Sequence, residues 1–477
     1  MEEQSNYHGE PPALPKKNFV SRHTTALKIL VVGLLTVLLL IPLSMISSLI
    51  YERLDTKRNA ELEITSKWSG EQIITGPCIV IPYIQESNQK DKKELIRKNL
   101  LLLPNEMNVT ADAKVEKRKR GIYDVSLYRS DLLLTGTLSL EDLKKSGIKP
   151  EQMYLDEAYV IMGISDLKGI RESVVMQLGN EKYDFGPGIP LENLYVGPNP
   201  AFEKNYYERD IQTSSPTVSS GLFSTGLNVK LDSVAMSQLK QVSIPFTINL
   251  YLNGSQGLFI VPIGKTTSAK VISDWATPSF GGDFLPENHD VTPEGFSANW
   301  KVIDLNRSYG QIVHAENETA INQMATSAFG VKFIQSVDQY QQNKRSAKYG
   351  VLIILLTFLV VFFIEVLKKK EVNPFQYLLV GLALVLFYSL LLSLSEIWGF
   401  NLAYIVAAIM TTVLIVIHMS SILKNKNLGL FIGTLLTFLY VFVFILIQME
   451  SYALLVGSLG LFCILAVIMY FSKKLEL

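Results

Sequence analysis

Apolar residues fall along this chain in one long run near the N-terminus, residues 29–50, and in five further runs crowded after residue 349, with a mostly polar stretch between them. Each run is long enough to cross a bilayer, whose hydrocarbon layer takes about 20 residues of helix. That order places a large water-exposed domain on one side of a membrane and holds it there at both ends.

The expected spans are residues 29–50, 350–367, 375–395, 402–423, 428–449 and 452–471. Residues 1–28 and 472–477 form tails, and residues 51–347 form the intervening domain. The first run is too long for the apolar region of a signal peptide, and Tyr51-Glu52-Arg53 follows it without a small-residue cleavage site, so it stays as an anchor. Pro11, Pro12 and Pro15 among polar residues mark residues 1–20 as a disordered tail.

Lys and Arg collect on the cytoplasmic side of short flanks. Lys16, Lys17, Arg22 and Lys28 precede the first span, Lys368, Lys369 and Lys370 follow the second, Lys424 and Lys426 lie between the fourth and fifth, and Lys473 and Lys474 follow the sixth. Threading six spans puts these groups on one face, whereas loops 396–401 and 450–451 opposite carry no Lys or Arg. Both termini are expected in the cytoplasm. Arg53, Lys57, Arg58, Lys344, Arg345 and Lys348 lie on the other side, but long domains translocate largely regardless of charge.

The 44 basic and 44 acidic residues cancel, so no global field recruits nucleic acid or a strongly acidic partner. Two cysteines occur, Cys78 in the outer domain and Cys463 in the last span, and their different environments rule out a bridge. Core packing alone must hold residues 51–347, a stretch large enough for one large domain or two ordinary ones. Residues 213–221 (Thr-Ser-Ser-Pro-Thr-Val-Ser-Ser-Gly) are a flexible loop that divides two expected β subdomains.

The outer domain reads as mainly β and sandwich-like. Val242, Ile244, Phe246, Ile248, Leu250 and Leu252 alternate with more polar residues, the period of a strand with one buried face, and Pro245 suggests an edge or a strand end. Asn253-Gly254 followed by residues 258–263 is a hairpin signal. Strands are also expected at 79–84, after Gly76-Pro77, at Tyr123, Val125 and Leu127, and over 132–140. Few helices are expected: 140–146, stopped by Gly147, and 321–337.

Catalytic motifs are missing: there is no Gly-x-Ser-x-Gly elbow, no His-Glu-x-x-His pair and no dinucleotide-binding glycine pattern. No cofactor is expected. Asp283, Glu287, His289 and Asp290 supply metal-ligand atoms, but the Asp-x-Asp-x-Asp-Gly spacing is absent and a solvated acidic loop is the preferred reading. The basic run 117–120 suits anionic head groups or envelope polymers, yet is read first as the end of a solvated strand.

Polar groups inside a membrane normally turn inward. Ser389, Ser393 and Glu396 stack along one face of the third span, while Glu365 and His418 lie near the cytoplasmic ends of the second and fourth. A proton or solute path is one reading; interface-depth side chains and interhelical hydrogen bonds are the preferred one. Gly429 and Gly433, with Thr437 one turn on, form a small-residue seam for close helix packing.

Trp275 precedes Pro278-Ser279-Phe280-Gly281-Gly282-Asp283-Phe284-Leu285-Pro286, which looks like the hallmark segment of the CreD family of bacterial inner-membrane proteins. Gly295-Phe296 with Trp300, Asp338-Gln339-Tyr340, Lys348-Tyr349, Gln376-Tyr377-Leu378-Leu379-Val380-Gly381 and Leu394-Ser395-Glu396 continue the likeness, as do Gly76-Pro77, Ile81-Pro82 and Gly121-Ile122-Tyr123. Residues 213–221 and the N-terminal tail look like local elaborations, and Gly281 stands where some members carry a larger residue. The resemblance implies a multi-pass inner-membrane protein of cell-envelope integrity, tied to a two-component regulon, to colicin tolerance and to β-lactam responses. It brings no catalytic residues.

Pro278 and Pro286 bracket two aromatics, a glycine pair and an acid, a composition suited to a rigid turn. The preferred reading is a corner that locks sheet to loop, with Asp283 capping backbone N–H groups; the alternative is a docking surface for an envelope protein or cell-wall partner, presented by Phe280 and Phe284. The expectation for the whole chain is a non-enzymatic, β-rich periplasmic domain anchored by a helix bundle that supports the envelope or its stress response. A transporter or channel using the bundle is the alternative.

Overall fold

The computed structural model describes residues 19–89, 92–191, 222–333, 339–368, 371–449 and 452–472. Residues 1–18 of the expected tail at 1–28, residues 473–477 of the expected tail at 472–477 and the expected loop at 213–221 lie outside them. The chain divides into two units, one of Met1–Thr56 with Val337–Leu477 and one of Lys57–Ser336. Helix α1 (Phe19–Trp68) contributes to both. It outlasts the apolar run of 29–50 because residues 51–68 contain no Gly or Pro and carry i,i+4 pairs, Lys57 with Glu61 at 3.9 Å and Glu63 with Lys67 at 3.0 Å. Ser69-Gly70 ends it.

In the second unit the described strands form two mixed sheets. The nine-stranded sheet comprises β1 (Gln72–Gln89), β2 (Lys92–Leu102), β5 (Tyr159–Ile164), β8 (Gly186–Pro187), β9 (Gly226–Lys230), β11 (Gly257–Ile260), β13 (Pro278–Gly282), β16 (Ile312–His314) and β17 (Phe329–Phe333). Its order is β13-β17-β11-β1-β5-β9-β8, with β2 joining β1 to β16. The eight-stranded sheet comprises β3 (Glu106–Arg120), β4 (Tyr123–Leu138), β6 (Val175–Leu178), β7 (Glu181–Asp184), β10 (Ile244–Ser255), β12 (Thr266–Ser273), β14 (Asn288–Thr292) and β15 (Gly295–Ile303), in the order β14-β15-β12-β3-β4-β10-β6-β7. Pairings β1 with β11 and β3 with β12 are parallel. Alternation drives burial: Met107, Val109, Ala111 and Ala113 of β3 and Ile244, Phe246, Ile248, Leu250 and Leu252 of β10 point into one core shared by both sheets.

Three local expectations are corrected. Val242 is exposed because it ends helix α2 (Ser233–Gln241) instead of starting the strand; Pro245, second in β10, sits at a strand end. Asn253-Gly254 is not a turn. Both residues remain in β10, where Gly254 faces Tyr128, and a Cβ there would lie 2.3 Å from the tyrosine ring. The chain turns at Gln256 (φ 62°), and β11 joins the other sheet. The helix expected over 321–337 is helix α3 (Glu318–Thr326) followed by β17, whose Phe329, Val331 and Phe333 are buried. The short helix expected at 140–146 is a 3₁₀ turn, Glu141–Ser146, capped by Gly147 at φ 72°.

The first unit holds the N-terminal part of α1 with α4 (Gln339–Lys348), α5 (Gly350–Lys368), α6 (Pro374–Trp398), α7 (Phe400–Leu423), α8 (Lys426–Gln448) and α9 (Ala453–Ser472). Among the described residues, six helices are long and apolar enough to cross a membrane, one near the N-terminus and five toward the C-terminus. Asn373 and Asn425 cap α6 and α8. The glycine seam brings α8 onto α7: a Cβ at Gly429 would lie 1.8 Å from Ser420 Oγ, and one at Gly433 would lie 2.3 Å from Val416 Cγ2.

Candidate functional site

The densest polar constellation of the β unit is the point where α1 hands over to β1. Gln72, with no solvent exposure, donates through Nε2 to Ser69 Oγ (2.8 Å), Asp166 O (2.9 Å) and Asn253 O (3.1 Å). Ser255 Oγ donates to Ser69 O at 2.8 Å, the Gly70 N–H donates to Asp166 Oδ2 at 3.0 Å, and Ser165 Oγ donates to Glu71 O at 2.7 Å. Strand ends from both sheets are thus tied to the foot of a membrane helix. Sequence reading missed this clamp. Its only signal was a polar Ser69-Gly70-Glu71-Gln72 block opening a strand that then turns apolar.

Glu71 sits inside the clamp with its side chain 4% exposed and Lys332 Nζ 4.0 Å away. Burial pushes its carboxyl up from 4.5 to about 7, against the opposing pull of Lys332. A carboxylate so placed changes charge near neutral pH.

The hallmark segment crosses from one sheet to the other. Pro278, Phe280 and Gly282 lie on β13, paired with β17, and β14 then pairs with β15 in the second sheet. Gly282 adopts φ 97°, and a Cβ there would lie 2.1 Å from Ala328 O, so glycine is required. At Gly281 a Cβ would meet nothing within 4 Å, which accommodates larger residues. Phe280 packs at 5.6 Å from Phe296 and 5.8 Å from Trp300, and Phe284 at 6.3 Å from Phe329, all edge-on. Trp300 Nε1 donates to Phe284 O at 3.2 Å, and Trp275, buried, donates to Thr277 O at 3.1 Å. Both phenylalanines are half-buried against the core; Leu285, at 72%, is the segment's exposed apolar side chain, and Pro286 is half-buried. The segment forms a corner between the two sheets. It makes the cap with the Asp283 backbone: this N–H donates to Ala328 O at 3.0 Å while the side chain is exposed.

Among the described residues, no three or more His, Cys, Asp or Glu side chains gather as metal ligands. Glu287, His289 and Asp290 are exposed. Elsewhere a tyrosine, a histidine and a glutamate meet: Tyr83 Oη lies 2.8 Å from His314 Nδ1 and 3.5 Å from Glu316 Oε1, which Lys98 holds at 2.9 Å. Burial, with the Glu316 charge beside it, pushes the Tyr83 hydroxyl up, so it stays protonated and pins β1 to β16.

In the membrane unit the polar residues form two separate knots. Glu365, 4% exposed near the end of α5, accepts from Lys28 Nζ (2.8 Å), Tyr377 Oη (2.8 Å) and the Val372 N–H (3.3 Å). Glu396 near the end of α6 accepts from Tyr340 Oη at 3.2 Å and lies 3.7 Å from Arg53 Nε, while Asn343 Nδ2 donates to Ser395 Oγ at 2.8 Å. Lys28, read only as a flanking charge, and Asn343, not read at all, complete these knots. The buried serine is Ser395; Ser393 is exposed and Ser389 half-buried, so the expected inward polar face of α6 is rotated. His418 stands half-buried near the end of α7 without contact to either knot. Between the ends, Phe387 packs on Tyr440 at 4.6 Å and on Tyr404 at 5.3 Å, and the Tyr404 hydroxyl donates to Tyr440 O at 2.8 Å.

A family model described as "Inner membrane protein CreD" matches residues 24–477. The chain belongs to the CreD family. Inner membrane protein CreD of Escherichia coli (strain K12) is 30% identical over 443 residues, covering 92% of this chain and 90% of that one. The protein is thus a multi-pass inner-membrane protein of the CreD type, with one N-terminal and five C-terminal membrane helices and a mainly β domain between the first and second in the chain. Two of the strings that carried the resemblance meet in its structure, where Tyr340 reaches Glu396, and Tyr377 of a third reaches Glu365 outside them.

Proposed function

We propose that this CreD-family protein supports cell-envelope integrity without catalysis, its β unit in the periplasm and both chain ends in the cytoplasm. The observation that carries this reading is the clamp at Ser69–Gln72, which fastens the end of α1 to strands of both sheets. A domain whose entry from a membrane helix is fixed by a buried polar clamp is suited to hold position and pass load, with an envelope protein or cell-wall polymer as its partner. The Lys and Arg of the short flanks support the orientation. The aromatic packing of Phe387, Tyr404 and Tyr440 between the two polar knots supports anchoring over conduction.

Two measurements test it. Alkaline phosphatase fused after Gly147 is expected to be active and fused after the last residue to be inactive; activity at the C-terminal fusion overturns the orientation. Deleting the gene is expected to sensitise cells to detergent and β-lactams, and full-length Gln72→Leu at normal abundance is expected to restore resistance only in part. Unchanged sensitivity on deletion sinks the functional reading.

A further inference from the structure

The basic tip of the β3–β4 hairpin does not stand free in solvent. Arg118 stacks 4.6 Å over the Trp68 ring and Arg129 lies 5.6 Å from it, while Lys117 covers Trp275 at 5.2 Å. Arg120 reaches Glu63 at 2.7 Å, the same carboxylate that Lys67 contacts at 3.0 Å. With the end of α1 the hairpin encloses a cleft of about 320 Å³, lined by Glu63, Ile64, Lys67, Trp68, Lys119 and Leu127 together with the two arginines at the tip.

Charge in this cleft is unbalanced. Lys67, Arg118, Lys119 and Arg120 line it with one acid, Glu63, and Glu116, outside the lining, lies 2.8 Å from Arg118. Lys119 is exposed and, among the described residues, has no ion pair. Trp68 lines the cleft, and its indole N–H is buried with no acceptor among the described residues. Glu63, held between Lys67 and Arg120, occupies the position an anionic ligand would take.

We propose that this cleft binds a phosphate ester. Guanidinium forks match the paired oxygens of phosphate, and Arg118, held flat on the Trp68 ring, spends only part of its five N–H donors on Glu116. A carboxylate offers one charge and two oxygens, fewer than these donors can engage. The cleft is several times the roughly 30 Å³ of a water molecule, so it takes an esterified phosphate with part of its alcohol. That chemistry is shared by a lipid headgroup and by a soluble phosphate polymer.

The test uses the full-length protein in phosphatidylcholine nanodiscs. One arm titrates it with inorganic phosphate and short-chain polyphosphate by calorimetry. A second arm measures flotation of the nanodiscs with phosphatidylcholine vesicles, with and without phosphatidylglycerol. Each cation removed is expected to weaken binding about fivefold, so Arg118→Ala with Lys119→Ala weakens it on the order of 25-fold, and binding falls as salt rises. Lys240→Ala, a change at an exposed lysine outside the cleft, is expected to bind as the parent does. Polyphosphate binding that follows this pattern assigns a soluble source, and phosphatidylglycerol-dependent flotation that follows it assigns a lipid. Lys119→Glu alone, with an unchanged melting midpoint, guards against misfolding. Absence of binding in both arms, or an equal loss in Lys240→Ala, overturns the proposal.

Discussion

The Gln72 side-chain amide donates to the backbone oxygen of Asn253 at 3.1 Å, fastening the start of β1 to a strand 181 positions later. Gln72→Leu keeps the volume but takes the Gln72 donor from Asn253 O and leaves Asp166 O with the Gly169 N–H alone, at about 1–3 kcal/mol for a group left unsatisfied. For a domain of this size that corresponds to a melting midpoint lower by on the order of 5 °C. Differential scanning fluorimetry of the detergent-solubilised protein reads it; an unchanged midpoint means the clamp is not stabilising.

Glu71 makes the same region pH-sensitive. Its folded-state pKa of about 7 lies above its ordinary value of 4.5, so the folded protein holds the proton more tightly than the unfolded chain. The associated stability is complete below the unfolded value and is lost as pH rises through 7. On a shift of this size the loss is on the order of 3 kcal/mol. Glu71→Gln stays neutral throughout, so its midpoint is expected to change less than the parent's between pH 5 and pH 8. Parallel pH profiles for the two proteins would show that Glu71 does not titrate in this range.

At Gly254 the expected cost is steric. A Cβ there would lie 2.3 Å from the ring of Tyr128, which is fully buried and donates to Gly257 O at 2.8 Å. Gly254→Ala is expected to destabilise the β unit by about 1–3 kcal/mol or more, as overpacking does. Tyr128→Leu removes the clashing ring, so the double variant is expected to be less damaged than the sum of the single changes, by at least about 1 kcal/mol. Strict additivity in urea titrations would mean that the contact does not hold glycine there.

The same residue shows where sequence reading works and where it stops. The six spans and the alternation in β10 were legible because apolar periodicity reports burial directly. Asn253-Gly254 misled because glycine answers two needs, a turn and a close approach, and only the tertiary position of Tyr128 separates them. Phe329 to Phe333 continued a helical-looking stretch, yet pairing with β11 and β13 made it a strand, a preference set by neighbours far along the chain. Glu365 was visible as an intramembrane acid, whereas its partners Lys28 and Tyr377 come from other helices and leave no local pattern.

That three-helix knot yields the last expectation. The Glu365 carboxylate is buried, and Lys28 supplies the cation at 2.8 Å from a side chain that is itself 42% exposed. Lys28→Met leaves the carboxylate to the Tyr377 hydroxyl and the Val372 N–H alone. Breaking a fully buried pair costs about 3–5 kcal/mol, and the exposure of Lys28 lowers this to on the order of 2 kcal/mol. Lys28→Met with Glu365→Gln removes both charges while the amide oxygen still accepts from Tyr377, so most of the loss is expected to be recovered. The measurement is the detergent-stability midpoint of the four proteins by fluorescence-detected size exclusion. If the double variant is no more stable than Lys28→Met, the lysine acts through something other than the buried carboxylate, and α1 is not held to α5 by charge.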